Sequence, residues 1–219
     1  AWPDGAITPF RSEKNTNWEG AFRVPSFVRW PKHIPAGEIR NGMMSHTDWL
    51  PTLLAAAGQP DIVKRLLQGH RVHGQTFKVH IDGYDMLDYL RGDVDESPRE
   101  SFFYINDDGQ LVALRFGDWK IVFMEQRAKQ LALWAEPFVE LRVPKIFNLR
   151  RDPFERADES SNTYYDWLLD HVFLLVPAQA YVAEHAQSLL EFPPRQKPAS
   201  FNLDRVLERL KDSVGSGLR

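Results

Sequence analysis

The stretch SFFYINDDGQLVALRFGDWKIVF, residues 101–123, decides how the second half of the chain folds. Apolar residues recur with a period of two on both sides of Asn106-Asp107-Asp108-Gly109, residue types that accept a left-handed backbone cheaply. The reading is a strand over Ser101 to Ile105, a hairpin turn, a return strand over Leu111 to Phe116, a second turn at Gly117-Asp118 and a third strand over Trp119 to Phe123. Lys145 to Leu149 supplies a fourth strand, and Asp152-Pro153 closes the meander. Phe102, Phe103, Phe116, Trp119 and Phe123 then fall at sheet-packing positions. An amphipathic helix over Asn162 to Leu175 is expected to cover one sheet face, since a sheet needs a second layer. A helix over 178–190, an extended arm from Phe192 to Ser200 and a short helix over Asn202 to Lys211 complete the chain.

Upstream, Arg91-Gly92-Asp93-Val94-Asp95-Glu96-Ser97-Pro98 is polar and broken, and divides the chain into residues 1–97 and 98–219. Within the first part, Arg23 to Trp30 alternates and reads as a strand. Ser45 or Thr47 caps a helix over Asp48 to Ala57, with Pro51 in its first turn and Gly58 ending it. Trp49, Leu50, Leu53 and Leu54 of that helix are expected in the core. Shorter helices follow around Ile62 to Leu67 and Gly83 to Leu90.

Composition bounds the function. The 219 residues carry a net charge of −3, with 43% hydrophobic and 26% charged residues, enough for a real core and too balanced for a general nucleic-acid binder. No Cys is present, so disulfides, thiolate metal sites and a cysteine nucleophile are excluded within the chain. No apolar run reaches membrane-spanning length, about 18 residues or more. The chain opens on Ala1, so the lack of a leader there carries no meaning, and composition leaves periplasm and cytoplasm equally open as the compartment. No nucleophile elbow, phosphate loop, dinucleotide fingerprint or paired-histidine zinc motif occurs. His70 and His73, flanked by Gly69 and Gly74, read as loop histidines rather than metal ligands.

One segment stands apart. TPFRSEKNTNWEGAFRVP, residues 8–25, mixes charge, aromatics and Gly without any period. Such a loop is costly to order, and loops of this kind often carry function. It resembles the substrate-side lysine loop of the type I sulfatase (arylsulfatase) family, in the alkaline-phosphatase-like superfamily. Further motifs follow in family order: Ser45 to Leu54 with Ala57-Gly58, Asp82-Gly83-Tyr84-Asp85, Tyr104, the VALRFGDWK run of residues 112–120, IFNLRRDP of residues 146–153, and the tail from Phe192 to Asp204.

The resemblance implies an α/β fold, α+β within this fragment: the distal piece of the large sulfatase domain over 1–97, and a small four-stranded antiparallel sheet with packed helices over 98–219. It implies hydrolysis of sulfate esters by a formylglycine and a divalent cation, usually calcium. The chain has no Cys- or Ser-based formylglycine motif, and the family's metal-ligand pair would fall just upstream of Ala1. On this reading the chain lacks nucleophile and metal ligands, is inactive alone, and has the N-terminal part of the same protein and a sulfate ester substrate as partners. Lys14 carries over by motif as the sulfate-binding lysine that stabilises charge on the leaving oxygen. Trp18 is a second candidate for substrate contact, although shaping the loop suits it better.

Arg11 and Arg23 read as ion partners, and His46 and Asp48 as helix-capping residues. The insertion around Leu131 to Val143, with Trp134, Pro137 and Phe138, is expected to overhang the active-site mouth of the parent enzyme. Two alternatives stay open: a non-catalytic assembly or binding module, and a phosphoesterase or phosphonate hydrolase relative. The Arg23–Trp30 strand has no partners of its own, so the isolated chain is expected to rearrange, form a homo-oligomer or be marginally stable.

Overall fold

A computed structural model describes residues 8–194. The first half is built of short pieces. A single helical turn, α1 (Glu19–Phe22), ends the lysine loop. A 3-10 turn (His46–Asp48) leads into α2 (Trp49–Ala56), and α3 (Ile62–Gln68) follows. A small hairpin, β1 (His70–Val72) and β2 (Gln75–Phe77), and α4 (Leu87–Arg91) complete it.

The second half is the expected meander: β3 (Ser101–Ile105), β4 (Leu111–Phe116), β5 (Trp119–Glu125) and β6 (Val139–Asn148), antiparallel and adjacent in sequence order. Three helices then follow, α5 (Ala157–Ser160), α6 (Tyr164–Asp170) and α7 (Leu175–Glu191).

Register decides what each sheet face carries. Tyr104, Ala113 and Val122 lie opposite one another, as do Phe102, Arg115 and Lys120, and together they form one face. Trp18 and Phe22 of the lysine loop pack on that face. Phe103, Leu114, Ile121 and Ile146 form the other, covered by Leu174 and Ala178 and by rings of α7: His185 stacks on Phe103, and Tyr181 on Phe116. The sheet is therefore buried on both sides, and the loop, not only a helix, is one of its covering layers. Fully buried Ile121 and Ile146 each contribute on the order of 1.5–3 kcal/mol by leaving water.

The structure departs from the sequence expectations at several points. Arg23 to Trp30 forms no strand: it is unpaired, with Val24 and Phe27 exposed. A strand needs a neighbour for its backbone groups, and none lies beside this segment among the described residues. Leu50 and Leu53 are exposed, because α2 turns Pro51, Thr52 and Ala55 inward instead. The helix expected over Gly83 to Leu90 begins only at Leu87, since the backbone N–H of Tyr84 is taken by Asp48 and that of Met86 by Thr52. His70 and His73 sit on the β1–β2 hairpin rather than in the expected loop. The fourth strand starts earlier than expected, at Val139, after a register shift between Val122 and Met124. The helix expected over Asn202 to Lys211, and most of the arm before it, lie outside the described residues.

Candidate functional site: the lysine loop and its buried anchor

Lys14 is exposed at the tip of the loop, between Ser12 and Asn15, whose φ angles of 63° and 68° are left-handed. Two such residues bend the chain sharply, and the turn is held from within. Thr16 Oγ1 donates to the Glu13 carbonyl at 2.7 Å, and the Gly20 N–H donates to the Arg11 carbonyl at 2.9 Å. A Cβ at Gly20 would run into the backbone carbonyl oxygens of Arg11 and Ser12, so the closure of the loop requires glycine.

The flanks of the loop are tied down by charge. Arg11 reaches the Glu155 carbonyl at 2.6 Å, Asp158 at 2.8 Å and Glu159 at 2.8 Å, while its guanidinium stacks on Trp18 at 3.5 Å from the ring centroid. Trp18 itself is only 3% exposed and meets Phe147 edge-on. Trp18 is thus a packing residue of the sheet face, which is the loop-shaping role, and it offers almost no surface for a substrate contact. Arg11 and Arg23 do serve as ion partners, Arg23 to Glu19 at 2.6 Å.

Beneath the loop lies a buried charge network that sequence reading did not find. Glu19 Oε1 accepts from the Tyr104 hydroxyl at 2.5 Å and from Lys120 Nζ at 3.0 Å. The same ammonium donates to the Asn17 carbonyl at 2.7 Å and lies 2.7 Å from Glu155 Oε1. The Glu19 N–H donates to Glu155 Oε2 at 2.7 Å. Glu19 is 1% exposed, and Lys120 and Glu155 are fully buried.

Burial works to raise the Glu19 carboxyl, but Lys120, the Tyr104 hydroxyl and Arg23 outweigh it and hold it down at about 2. Burial pushes Glu155 the other way, upward, with the Glu19 charge adding to that rise against the pull of Lys120. Tyr104 is raised well above its ordinary value by burial and by Glu19, so its hydroxyl stays a neutral donor.

The two carboxylates therefore oppose each other in their pH response. Glu19, depressed from 4.5, gives stability that is whole above about pH 4.5 and lost as the pH falls toward 2, on the order of 3 kcal/mol. Glu155, raised, costs stability as it ionises with rising pH. Denaturant melts across the acid range are expected to show Glu19→Gln flattening the acid limb and Glu155→Gln leaving that limb in place. Equal acid limbs for Glu19→Gln and the parent chain would refute the assignment.

Signals for this network did exist in the sequence. Lys120 lies two residues from inward-facing Val122 on the same strand face, an unusual place for a charge, and Glu155 follows the Asp152-Pro153 turn.

The insertion reaches Lys14 from the other side. Its 3-10 turn (Gln130–Trp134) anchors on buried Leu133 and leaves Trp134 65% exposed, with the Lys14 ammonium 5.3 Å from the ring centroid. Gln126 fastens insertion and loop together: its N–H donates to Asn17 Oδ1 at 3.1 Å, and its side-chain amide to the Glu136 carbonyl at 2.7 Å. Between them lies an open cleft of about 350 Å³, with Lys14, Asp107, Asp108, Trp134, Glu136 and Phe138 in its wall. Lys14 makes no ion pair or hydrogen bond with a described residue.

A second constellation joins the Ser45 to Leu54 and Asp82 to Asp85 segments of the first half to the sheet. Asp48, 0% exposed, accepts from the backbone N–H groups of Ser45 at 2.7 Å and Tyr84 at 2.8 Å, and from Arg99 at 2.8 Å and 2.5 Å. Ser45 and Asp48 form a capping box, as their helix-capping assignment expected. Among the described residues, no group of three or more His, Cys, Asp or Glu side chains could hold a metal ion.

Known proteins resemble this chain in sequence and fold. The family model for the C-terminal region of aryl-sulfatase matches residues 97–210, and the sulfatase model matches residues 5–59. Steryl-sulfatase of Mus musculus is 33% identical over 167 residues, covering 69% of this chain and 24% of that protein. N-acetylgalactosamine-6-sulfatase of Sus scrofa is 28% identical over 217 residues, covering 87% of this chain and 35% of that protein. The crystal structure of PsFucS1 sulfatase from Pseudoalteromonas sp. superposes with a TM-score of 0.67 at 26% identity, over 90% of this chain and 36% of that one. The chain spans only about a quarter to a third of the length of these relatives. The C-terminal aryl-sulfatase match extends over more than half of the chain and agrees with the fold and the order of its motifs: the chain belongs to the sulfatase family, as its C-terminal region.

Proposed function

We propose that these residues form the C-terminal portion of a longer sulfuric ester hydrolase of the aryl sulfate type, and that Lys14 binds a sulfate oxygen and steadies the charge that grows on the leaving oxygen. One observation carries the assignment. Lys14 is an exposed ammonium on a loop whose flanks are fixed by buried ions, with no carboxylate partner among the described residues. A cation held in place and left unneutralised suits an anionic ester, and a fixed donor aimed at developing charge lowers the barrier without reorganising.

The cation and formylglycine implied by family membership find no ligand set or precursor motif among the described residues. They are proposed to come from the N-terminal part of the same longer chain. The exposed run of Val24, Phe27 and Val28 supports a surface for that part, since apolar residues in such a row ordinarily have a cover. The division at 97/98 into a distal piece of the large domain and a small-sheet subdomain belongs to the same proposal.

In the full-length enzyme, Lys14→Ala is expected to lower kcat/KM for an aryl sulfate by about 10²-fold, with the melting temperature unchanged. Activity equal to that of the parent enzyme would remove Lys14 from the site. The 219 residues alone are expected to give no turnover.

A further inference from the structure

We propose that the cleft whose wall carries Lys14 and Trp134 is the subsite for the ring of the leaving alcohol, and that it selects esters bearing a single anionic group. The inference rests on the reading of Lys14 as the sulfate ligand. The ammonium marks where the sulfate sits, and the Trp134 ring beside it is the large exposed aromatic surface within reach. An exposed indole is a platform for a flat ring or for the C–H face of a sugar.

The platform is built in advance. Leu133 is buried beneath it, and the Ala135 and Glu136 N–H groups close the turn on the Ala132 carbonyl at 3.0 Å and 2.9 Å. Gln126 ties the turn to Asn17 of the lysine loop, so ammonium and ring are held in one frame. Pre-organised groups of this kind lose little freedom when a ligand arrives.

Charge gives the selectivity. The cleft has Lys14 as its cation, against the carboxylates of Asp107, Asp108 and Glu136. None of the three has an ion-pair partner among the described residues. A sulfate on Lys14 is satisfied, while a second anionic group on the same ring would face those carboxylates and be repelled.

Equilibrium binding of stable sulfonates tests both parts on the full-length sulfatase that contains these residues. Benzenesulfonate and methanesulfonate carry one negative charge each and differ by the ring. Benzenesulfonate is expected to bind about tenfold more tightly. Trp134→Ala should abolish most of that ratio, and Trp134→Phe should keep it. A ratio near one in the parent enzyme, or a ratio untouched by Trp134→Ala, overturns the ring subsite. Lys14→Ala is expected to weaken both sulfonates alike. If it weakens neither while Trp134→Ala still collapses the ratio, the sulfate-binding reading fails and the ring subsite stands.

1,3-Benzenedisulfonate is expected to bind more weakly than benzenesulfonate, and the combined variant Asp107→Asn, Asp108→Asn, Glu136→Gln to close that gap. A disulfonate that binds the parent enzyme as tightly as the monosulfonate overturns the charge selectivity.

Discussion

Lys120→Met is expected to destabilise the fold by about 3–5 kcal/mol, because it removes the ammonium from between two buried carboxylates. Lys120 Nζ lies 3.0 Å from Glu19, 2.7 Å from Glu155 and 2.7 Å from the Asn17 carbonyl, with no exposure to water. A methionine of similar length fills the space and supplies no charge. Glu19 and Glu155 then face each other in a low-dielectric interior, and one must take up a proton or the loop must open.

Two companions separate this mechanism from simple loss of packing. Lys120→Met combined with Glu155→Gln should recover part of the loss, since one of the stranded charges is gone. The interaction between the two substitutions, read from a double-mutant cycle of denaturant melts, should be on the order of 1–3 kcal/mol. Lys120→Arg should not restore the parent value, since a forked guanidinium does not fit the space of a fully buried ammonium. A single-variant melt within about 1 kcal/mol of the parent would falsify the account.

Asp48→Ala is expected to cost a similar amount, about 3–5 kcal/mol, for the same reason with the charges reversed. Arg99 is 7% exposed and gives Asp48 two of its bonds, through Nε and a terminal nitrogen. Removing the carboxylate strands that guanidinium and also frees the Ser45 and Tyr84 N–H groups. Arg99 keeps its bonds to the Asp82 and Ser101 carbonyls, which offset part of the loss. For a chain of this length each kcal/mol moves the melting temperature by about 2–4 °C, so a drop near 10 °C is the measurable result. Asp48→Asn should fall between, as one amide oxygen remains to accept while the amide nitrogen opposes Arg99. A melt of Asp48→Ala that coincides with the parent curve refutes the role.

Both predictions concern contacts across the chain, and both show how the candidate site is made. The loop that carries Lys14 is anchored by residues more than a hundred positions away: Lys120 and Gln126 from β5 and the residue after it, Glu155 from the turn after β6. The loop motif was legible as a motif, because charge, Gly and aromatics without a period mark an ordered irregular segment. Its anchor was not legible. A buried lysine reads as a surface lysine until register shows which strand face it occupies. Trp18 shows the opposite case: an aromatic in a candidate loop suggests ligand contact as well as packing until Arg11 and Phe147 are seen to enclose it.

The sequence by itself determined the local pieces. The period of two around Asn106 to Gly109 set three strands of the meander, Ser45 and Gly58 bounded the helix between them, and residues 8–25 announced the lysine loop. These are decided by neighbours a few residues apart, through turn chemistry, caps and side-chain alternation. Tertiary structure alone decided the rest: which sheet face the loop covers, that Lys120 is enclosed by two glutamates, that Leu50 and Leu53 point outward, and that Trp134 stands over Lys14. Arg23 to Trp30 shows the reason most plainly. Its alternation is that of a strand, yet it stays unpaired, because a strand exists only when another backbone lies beside it to take its hydrogen bonds.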